Sequence, residues 1–204
     1  MSGLPTGTVT FLFTDLEGST RLWEDHPDAM RPALARHDEL VGAAIAAHGF
    51  HAVFTAPSDA LGAAVDAQRA LGDEAWGSTG PLRVRMGVHT GVAELREGDY
   101  YGSMPNRSAR LMSVAHGGQI VCSHATATVA GESPTGGLTL VDLGEQRLRD
   151  LSQPEHVFQV GAAGLQSEFP PLTSLDARST NLPGTAHQLP RAGRGGRRNR
   201  GAVR

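Results

Sequence analysis

Asp15 is the first residue of the sequence whose position suggests chemistry, because it ends an apolar run and opens a polar turn. The run, residues 8–14, reads TVTFLFT and is typical of a buried β-strand. The turn that follows reads LEGST, so free backbone amides would lie next to a carboxylate that the strand holds in place. Such free backbone amides can cradle a phosphate group. Taken alone, this arrangement fits an aspartate that merely caps a turn equally well.

A second pair of polar residues is Asn106 and Arg110, which are four residues apart in a segment predicted to be helical over 106–114. At this spacing two side chains share one face of a helix. The alternative to a functional pair is an asparagine that caps the helix and an arginine that points into solvent.

The elements that must position these residues alternate between strands and helices. Helical periodicity predicts one helix over 27–48, and a second that Ser58 caps and that runs to about Leu71. Further strands are predicted over 51–55, 82–90 with an extension to 95, and 119–123. Residues 139–143 and 156–160 resemble a closing hairpin. This order predicts an α/β or α+β sandwich in which helices pack on one sheet.

The composition favours a single domain of ordinary size in the cytoplasm. The 204 residues are 39% hydrophobic, enough for one core. A net charge of −3 gives no general attraction to nucleic acid or to an anionic membrane. The single cysteine, Cys122, suits a reducing compartment. No apolar run approaches the roughly 18 residues of a membrane span, and no secretory signal is expected.

The sequence changes character after about Gly161, where proline, glycine and arginine replace apolar residues. Such a segment has too little apolar content to offset the entropy of ordering it. We therefore predict a folded domain over 6–160, followed by a disordered linker and basic tail over 161–204.

Four stretches of the chain, in order, resemble class III adenylyl and guanylyl cyclases. FLFTDLEGSTRLW resembles their opening strand and metal loop, and RVRMGVHTG resembles their central strand. DYYGSMPNRSARLMSVAHGGQIVCS resembles their catalytic strand, loop and helix, and GEQRLRDLSQPEHVFQV resembles their closing hairpin. The resemblance covers about residues 6–160 and implies the ferredoxin-like α+β sandwich of this family.

The resemblance also implies a reaction, the conversion of ATP to cyclic AMP and pyrophosphate for intracellular signalling. Two aspartates hold two Mg²⁺ or Mn²⁺ ions in these enzymes. The matching positions assign Asp15 and the carbonyl of Leu16 to the metal, and the amides of Gly18, Ser19 and Thr20 to the terminal phosphates.

The remaining roles carried over from the family fall on four residues. Asn106 would orient the ribose, and Arg110 would offset the charge that develops on the α-phosphate. Asp99, seven residues before Asn106, favours adenine over guanine, and we expect all three to face one cleft. Arg149 is the best match for a basic residue that contacts the triphosphate, with a solvent-exposed hairpin charge as the alternative.

The chain departs from the family's pattern after His48. The family carries a segment there that resembles VFKTVGDA and provides a strand, a purine-reading lysine and the second metal aspartate. Here about ten residues are absent, and the sequence continues directly as GFHAVF. Asp59, the next carboxylate, falls at the start of a predicted helix. We therefore expect one strand fewer, one of the two metal sites lost, weak nucleotide binding and little or no cyclase activity.

The resemblance implies a dimer, because each site combines the metal loop of one subunit with the asparagine and arginine of the other. The partner is then a second copy or another cyclase domain, with neither a membrane nor a specific nucleic acid. A non-enzymatic module for nucleotide binding or dimerisation, a pseudo-cyclase, is the alternative function.

Residues 168–183 resemble the linker of actinobacterial regulators in which a cyclase domain precedes a signalling ATPase and a helix-turn-helix module. The Arg/Gly-rich residues after Pro183 abandon that pattern. We interpret them as the product of a frameshift, with at most weak RNA binding through charge.

Overall fold

The computed structural model describes residues 4–48, 52–131 and 136–175, which form seven strands and five helices. The strands are β1 (Gly7–Leu16), β2 (Val53–Phe54), β3 (Val84–Arg96), β4 (Asp99–Tyr101), β5 (Ile120–Ser123), β6 (Thr139–Gln146) and β7 (Glu155–Gly161). The helices are α1 (Ser19–Asp25), α2 (Pro27–His48), α3 (Pro57–Asp73), α4 (Ser103–Val114) and α5 (His124–Ala130).

All seven strands belong to one mixed sheet of order β2-β1-β3-β5-β7-β6, with β4 paired to the end of β3. The β3–β5 pair is parallel and the other pairs are antiparallel. The longest ladder joins β1 to β3 over ten residue pairs. The predicted α+β sandwich with helices on one sheet is confirmed. Between α2 and α3, the described residues form only the two-residue strand β2.

Alternating side chains of β3 separate the two faces of the sheet. Val84, Met86 and Val88 lie fully buried in the larger core, which apolar residues of α2 and α3 complete. The residues between them in β3 face α4 on the opposite side. There Gly87 allows a close approach, since a Cβ at this position would lie 2.6 Å from the backbone nitrogen of Met112. Helix α4 therefore sits directly on β3, which fixes the height of its side chains above the sheet.

A chain of buried hydroxyl groups links β1, β3 and α5 inside the fold. Thr10 and Thr90 share a hydrogen bond of 2.9 Å, and Thr90 continues it to Thr126 at 3.0 Å. Ser123 connects Thr126 to the ring of His89, whose Nδ1 lies 2.7 Å from the Ser123 hydroxyl oxygen. Burial, followed by the charge of Arg107, lowers the pKa of His89 to about 4. His89 is therefore a neutral structural residue at physiological pH.

Residues 169–175, here called the strap, pack against the domain. Leu172 is 5% exposed and lies in a cluster with Leu111, Val114 and Leu148. The backbone amide of Thr173 donates to the carbonyl of Val114 at 2.9 Å, so both backbone and side chain fix the strap. The prediction that packed structure ends near Gly161 is therefore wrong for the strap. It is also wrong for Ala162 and Leu165, which pack against the larger core, whereas residues 176–204 of the predicted tail lie outside the described residues.

The predicted helix boundaries are confirmed in part. Helix α2 matches its prediction at both ends. Ser58 does not cap α3, because Pro57 already occupies the first helical position and places Ser58 inside the first turn. Helix α4 begins three residues before Asn106, since proline at position 105 is tolerated within a first turn. None of the helices in the described ranges is long and apolar enough to cross a membrane.

Replacing Gly87 tests the contact between α4 and β3. Gly87→Ala places a methyl group against the backbone of Met112, so we expect the free energy of unfolding to fall by about 2 kcal/mol in urea denaturation. Gly42→Ala is the matched control, because its Cβ meets nothing within 4 Å in the middle of α2. It should leave stability unchanged or raise it by up to about 1 kcal/mol. Unaltered stability of Gly87→Ala would contradict the close packing.

The depressed pKa of His89 predicts a loss of stability in acid. A histidine with a pKa of about 4 when folded and about 6.5 when unfolded binds more protons in the unfolded chain between these values. The contribution of His89 to the free energy of unfolding therefore falls as the pH drops, by about 2 kcal/mol between pH 7 and pH 5. Urea unfolding of His89→Gln should show a correspondingly weaker pH dependence, whereas exposed His124→Gln should follow the wild type. Parallel pH curves for wild type and His89→Gln would rule out this assignment.

Candidate functional site

The turn between β1 and α1 positions the first group of predicted site residues. Asp15 is the second-last residue of β1, and Leu16 behind it is buried. Gly18 adopts the left-handed conformation (φ 69°), which turns the chain so that its carbonyl accepts the amide of Leu22 and starts α1. Ser19 and Thr20 are then the first helical residues, whose amides have no partner within a helix.

Arg85 of β3 lies directly opposite Asp15 in the antiparallel ladder and pairs with it. Its Nε and Nη2 donate to the same carboxylate oxygen, Oδ2, at 2.8 and 2.5 Å. The third nitrogen, Nη1, donates to the backbone carbonyl of Ser113 in α4 at 3.2 Å. The guanidinium thus joins the end of β1 to the end of α4.

Arg85 is not among the functional residues predicted from the sequence. The usable signal was the alternation of RVRMG in the central strand, which places Arg85 on the face opposite the larger core. Its pairing with Asp15 depends on the register of two strands nearly seventy residues apart, which a single sequence does not specify.

The structure offers Asp15 no cluster of further metal ligands. Within the described residues, no group of three or more histidine, cysteine, aspartate and glutamate side chains is arranged to hold a metal ion. Asp59 lies in the first turn of α3, as the sequence predicted.

Arg110 and Arg149, both predicted to contact phosphate, line one cavity of about 380 Å³. Arg85 and Arg147 complete its charged wall, and we call it the arginine cavity. Arg110 donates through Nη2 to Asp150 Oδ2 at 2.7 Å. Arg149 is exposed in the connection between β6 and β7, and it pairs with no carboxylate of the described residues. A cavity with this lining suits a multiply charged anion.

Asn106 and Arg110 lie one turn apart on α4, as predicted. Asn106 is exposed and does not cap the helix, because Gly102 occupies the cap position. The alternative in which Asn106 caps the helix is therefore wrong, whereas Arg110 keeps 41% of its side chain exposed while it pairs with Asp150.

Asp99 lies apart from the arginines, at the start of β4. It borders a mainly apolar cavity of about 380 Å³, whose lining includes Phe11, Phe13, Val53 and Tyr100. One carboxylate oxygen, Oδ1, accepts the amide of Tyr100 at 2.7 Å. The expectation that Asp99, Asn106 and Arg110 face one cleft is therefore not met within a single chain, where Asp99 and Arg110 line different cavities.

Known proteins similar to this chain include cyclases and uncharacterized proteins. No protein-family model matches the chain. An uncharacterized protein of Mycobacterium tuberculosis is 42% identical over 191 residues, which cover 87% of this chain and 64% of that protein. The receptor-type adenylate cyclase GRESAG 4.3 of Trypanosoma brucei brucei is 30% identical over 213 residues, which cover 78% of this chain and 17% of that protein. The chain thus spans less than two thirds of each of these relatives.

Solved cyclase structures share the fold. An adenylate cyclase of Trypanosoma brucei in its monomeric state superposes with a TM-score of 0.73 at 29% identity, covering 85% of this chain and 97% of that one. An adenylate/guanylate cyclase/hydrolase from Silicibacter pomeroyi gives a TM-score of 0.62 at 26% identity, covering 76% of this chain and 97% of that one. Because likeness in sequence and likeness in structure agree over most of its length, the chain belongs to the class III adenylate/guanylate cyclase family.

Proposed function

We propose that this chain is an adenylyl cyclase homologue that binds ATP weakly and converts it to cyclic AMP slowly or not at all. The observation that carries the proposal is the state of Asp15, whose Oδ2 is held by two nitrogens of Arg85. A cation that bound this oxygen would have to displace the guanidinium. The family's reaction requires two metal-bound aspartates, and the segment that carries the second is absent from the sequence.

The implied cofactor, Mg²⁺ or Mn²⁺, fits the residues present only in part. Asp15 and the backbone carbonyl of Leu16 are hard oxygen donors of the type that both ions prefer. Because one carboxylate oxygen is shared with Arg85, these groups suit an ion that takes its other ligands from the nucleotide phosphates. When bound, the ion would activate the attacking hydroxyl and offset phosphate charge.

The phosphates themselves have better partners in Arg110 and Arg149. Arg110 is partly exposed, and its pair with Asp150 is of the solvent-accessible kind that contributes at most about 1 kcal/mol. Arg110 would therefore lose little free energy if it left Asp150 and bound a phosphate oxygen instead. Asn106, exposed one turn earlier on α4, is free to orient the ribose.

The separation of the site residues supports assembly from two chains. In a single chain, Asp99 lies at the apolar cavity, whereas Arg110 and Arg149 lie at the arginine cavity. A second copy or another cyclase domain would bring complementary groups to each, with the apolar cavity taking the purine. The cavity has no lysine in its lining, which is consistent with loose discrimination between ATP and GTP.

A pseudo-cyclase is the second candidate function, and the Asp15–Arg85 pair favours it as well. In this case the chain acts by nucleotide binding or by pairing with an intact cyclase domain in the cytoplasm. The linker-like residues 168–183 further support a place in a regulator with an ATPase and a helix-turn-helix module.

A cyclase assay on the purified protein with Mn²⁺ and ATP tests the proposal. Cyclic AMP should form at or near background, because the metal carboxylates are incomplete. Insertion of a VFKTVGDA-like segment after Gly49 should raise the rate, since it restores the second aspartate and the purine-reading lysine. Asp15→Ala in the inserted variant is the matched control and should return the rate to background.

Robust cyclic AMP formation by the unmodified chain, abolished by Asp15→Ala, would overturn the claim of impaired catalysis. Absence of ATP binding by equilibrium dialysis, in wild type and inserted variant alike, would overturn the claim of a retained nucleotide site.

A further inference from the structure

The strap forms one wall of the arginine cavity. Thr173, Ser174 and Leu175 line it together with the charged groups of α4 and of the β6–β7 connection. None of these three residues belongs to the folded region that the sequence predicted. The cavity is therefore closed by a segment that follows the last strand of the domain.

The strap is anchored to both elements that carry the arginines. Its Thr173 amide donates to the carbonyl of Val114, the last residue of α4, at 2.9 Å. Its Leu175 amide donates to the carbonyl of Arg147 at 3.1 Å. Because Arg110 lies on α4 and Arg149 two residues after Arg147, the strap bridges the supports of both guanidinium groups.

Ser174, between these two anchors, contains a polar atom that the protein leaves unsatisfied. The residue is 1% exposed, and its hydroxyl has no hydrogen-bond partner among the described residues. Buried hydroxyl groups without a partner are unusual in folded proteins. Since Ser174 lines the cavity, an anion entering it would bring acceptor oxygens to this wall.

The charges of the cavity define the class of anion. Arg85 and Arg110 already have carboxylate partners, Asp15 and Asp150 respectively. A ligand must replace or supplement these carboxylates, so it has to carry several negative charges. Guanidinium groups bind phosphate oxygens in a bidentate manner, which favours a chain of phosphates over a single monovalent anion.

We propose that the strap is a movable wall of a polyphosphate site, so that phosphate binding by the arginines and docking of the strap stabilise each other. The inference rests on the proposed function for the assignment of Arg110 and Arg149 to phosphate. Coupling of this kind is reciprocal: a ligand that tightens the strap must bind less well when the strap is loosened. Phosphate occupancy is thereby transmitted to the chain that follows residue 175.

Amide hydrogen exchange of the full chain, measured by NMR with and without saturating pyrophosphate, tests the coupling. Pyrophosphate should slow exchange of the Thr173 and Leu175 amides about fivefold or more in the wild type. In Arg149→Ala the same concentration should have little effect, because binding is weakened. Arg96→Ala, an exposed arginine on β3 outside the cavity, is the matched control and should respond as the wild type does.

The converse measurement uses Leu172→Ala, which loosens the strap without altering any arginine. Pyrophosphate affinity should fall by about the same factor by which pyrophosphate protects the strap amides. Exchange of the β1–β3 ladder amides in this variant should stay slow, which shows that the domain is still folded. Pyrophosphate bound with unchanged exchange of the strap, or unchanged affinity in Leu172→Ala, would overturn the proposal.

A parallel arm with ATP separates this inference from the proposed function. Strap protection by pyrophosphate in a chain whose ATP binding is insensitive to Asp99→Ala would support the coupled phosphate site and contradict the proposed purine site. If Asp99→Ala weakens ATP binding but bound ATP leaves the amide exchange of the strap unchanged, the proposed purine site is supported and the coupled phosphate site is contradicted.

Discussion

Asp15 and Arg85 face each other across the β1–β3 ladder, and the arginine also donates to the backbone of α4 at Ser113. One guanidinium therefore holds three elements in fixed relation: the strand that carries the carboxylate, the central strand, and the helix that carries Asn106 and Arg110. The pair is partly exposed, with 39% of the Asp15 side chain and 28% of the Arg85 side chain accessible. Solvent limits what such a pair adds to stability, so its main effect is to decide which groups Asp15 can bind.

The same guanidinium connects Asp15, at the end of β1, to the arginine cavity, whose lining includes Arg85. A phosphate that attracts Arg85 into the cavity would release Asp15, and a cation that captures Asp15 would release Arg85 for phosphate. A phosphate at Arg85 would thus favour a cation at Asp15, and a cation there would favour the phosphate. This follows because Asp15 and Arg85 would each exchange one oppositely charged partner for another. In the function proposed above, a nucleotide and its metal ion would complete the site together, and the strap would close its phosphate end.

Most of the fold followed from local sequence patterns, and most of the site did not. The apolar periodicity of α2 gave both of its ends, and the alternating pattern of the central strand located β3. The strap was missed because its docking depends on one leucine and a few backbone hydrogen bonds, which a composition rich in proline conceals. The family resemblance singled out Asn106 and Arg110, and their spacing of four residues correctly predicted that they lie one turn apart on a helix. The pairing of Arg85 with Asp15 depends on the register of distant strands, and the separation of Asp99 from Arg110 depends on tertiary packing, which local patterns do not specify.

The number of Mn²⁺ ions bound per chain, measured by electron paramagnetic resonance with and without ATP, tests the account of Asp15 most directly. A carboxylate shared with Arg85 predicts no tight Mn²⁺ binding without ATP and at most one ion per chain with it. The Asp15→Asn variant should lose that ion. Two Mn²⁺ ions per chain in the presence of ATP, or one bound tightly in its absence and lost in Asp15→Asn, would contradict the account.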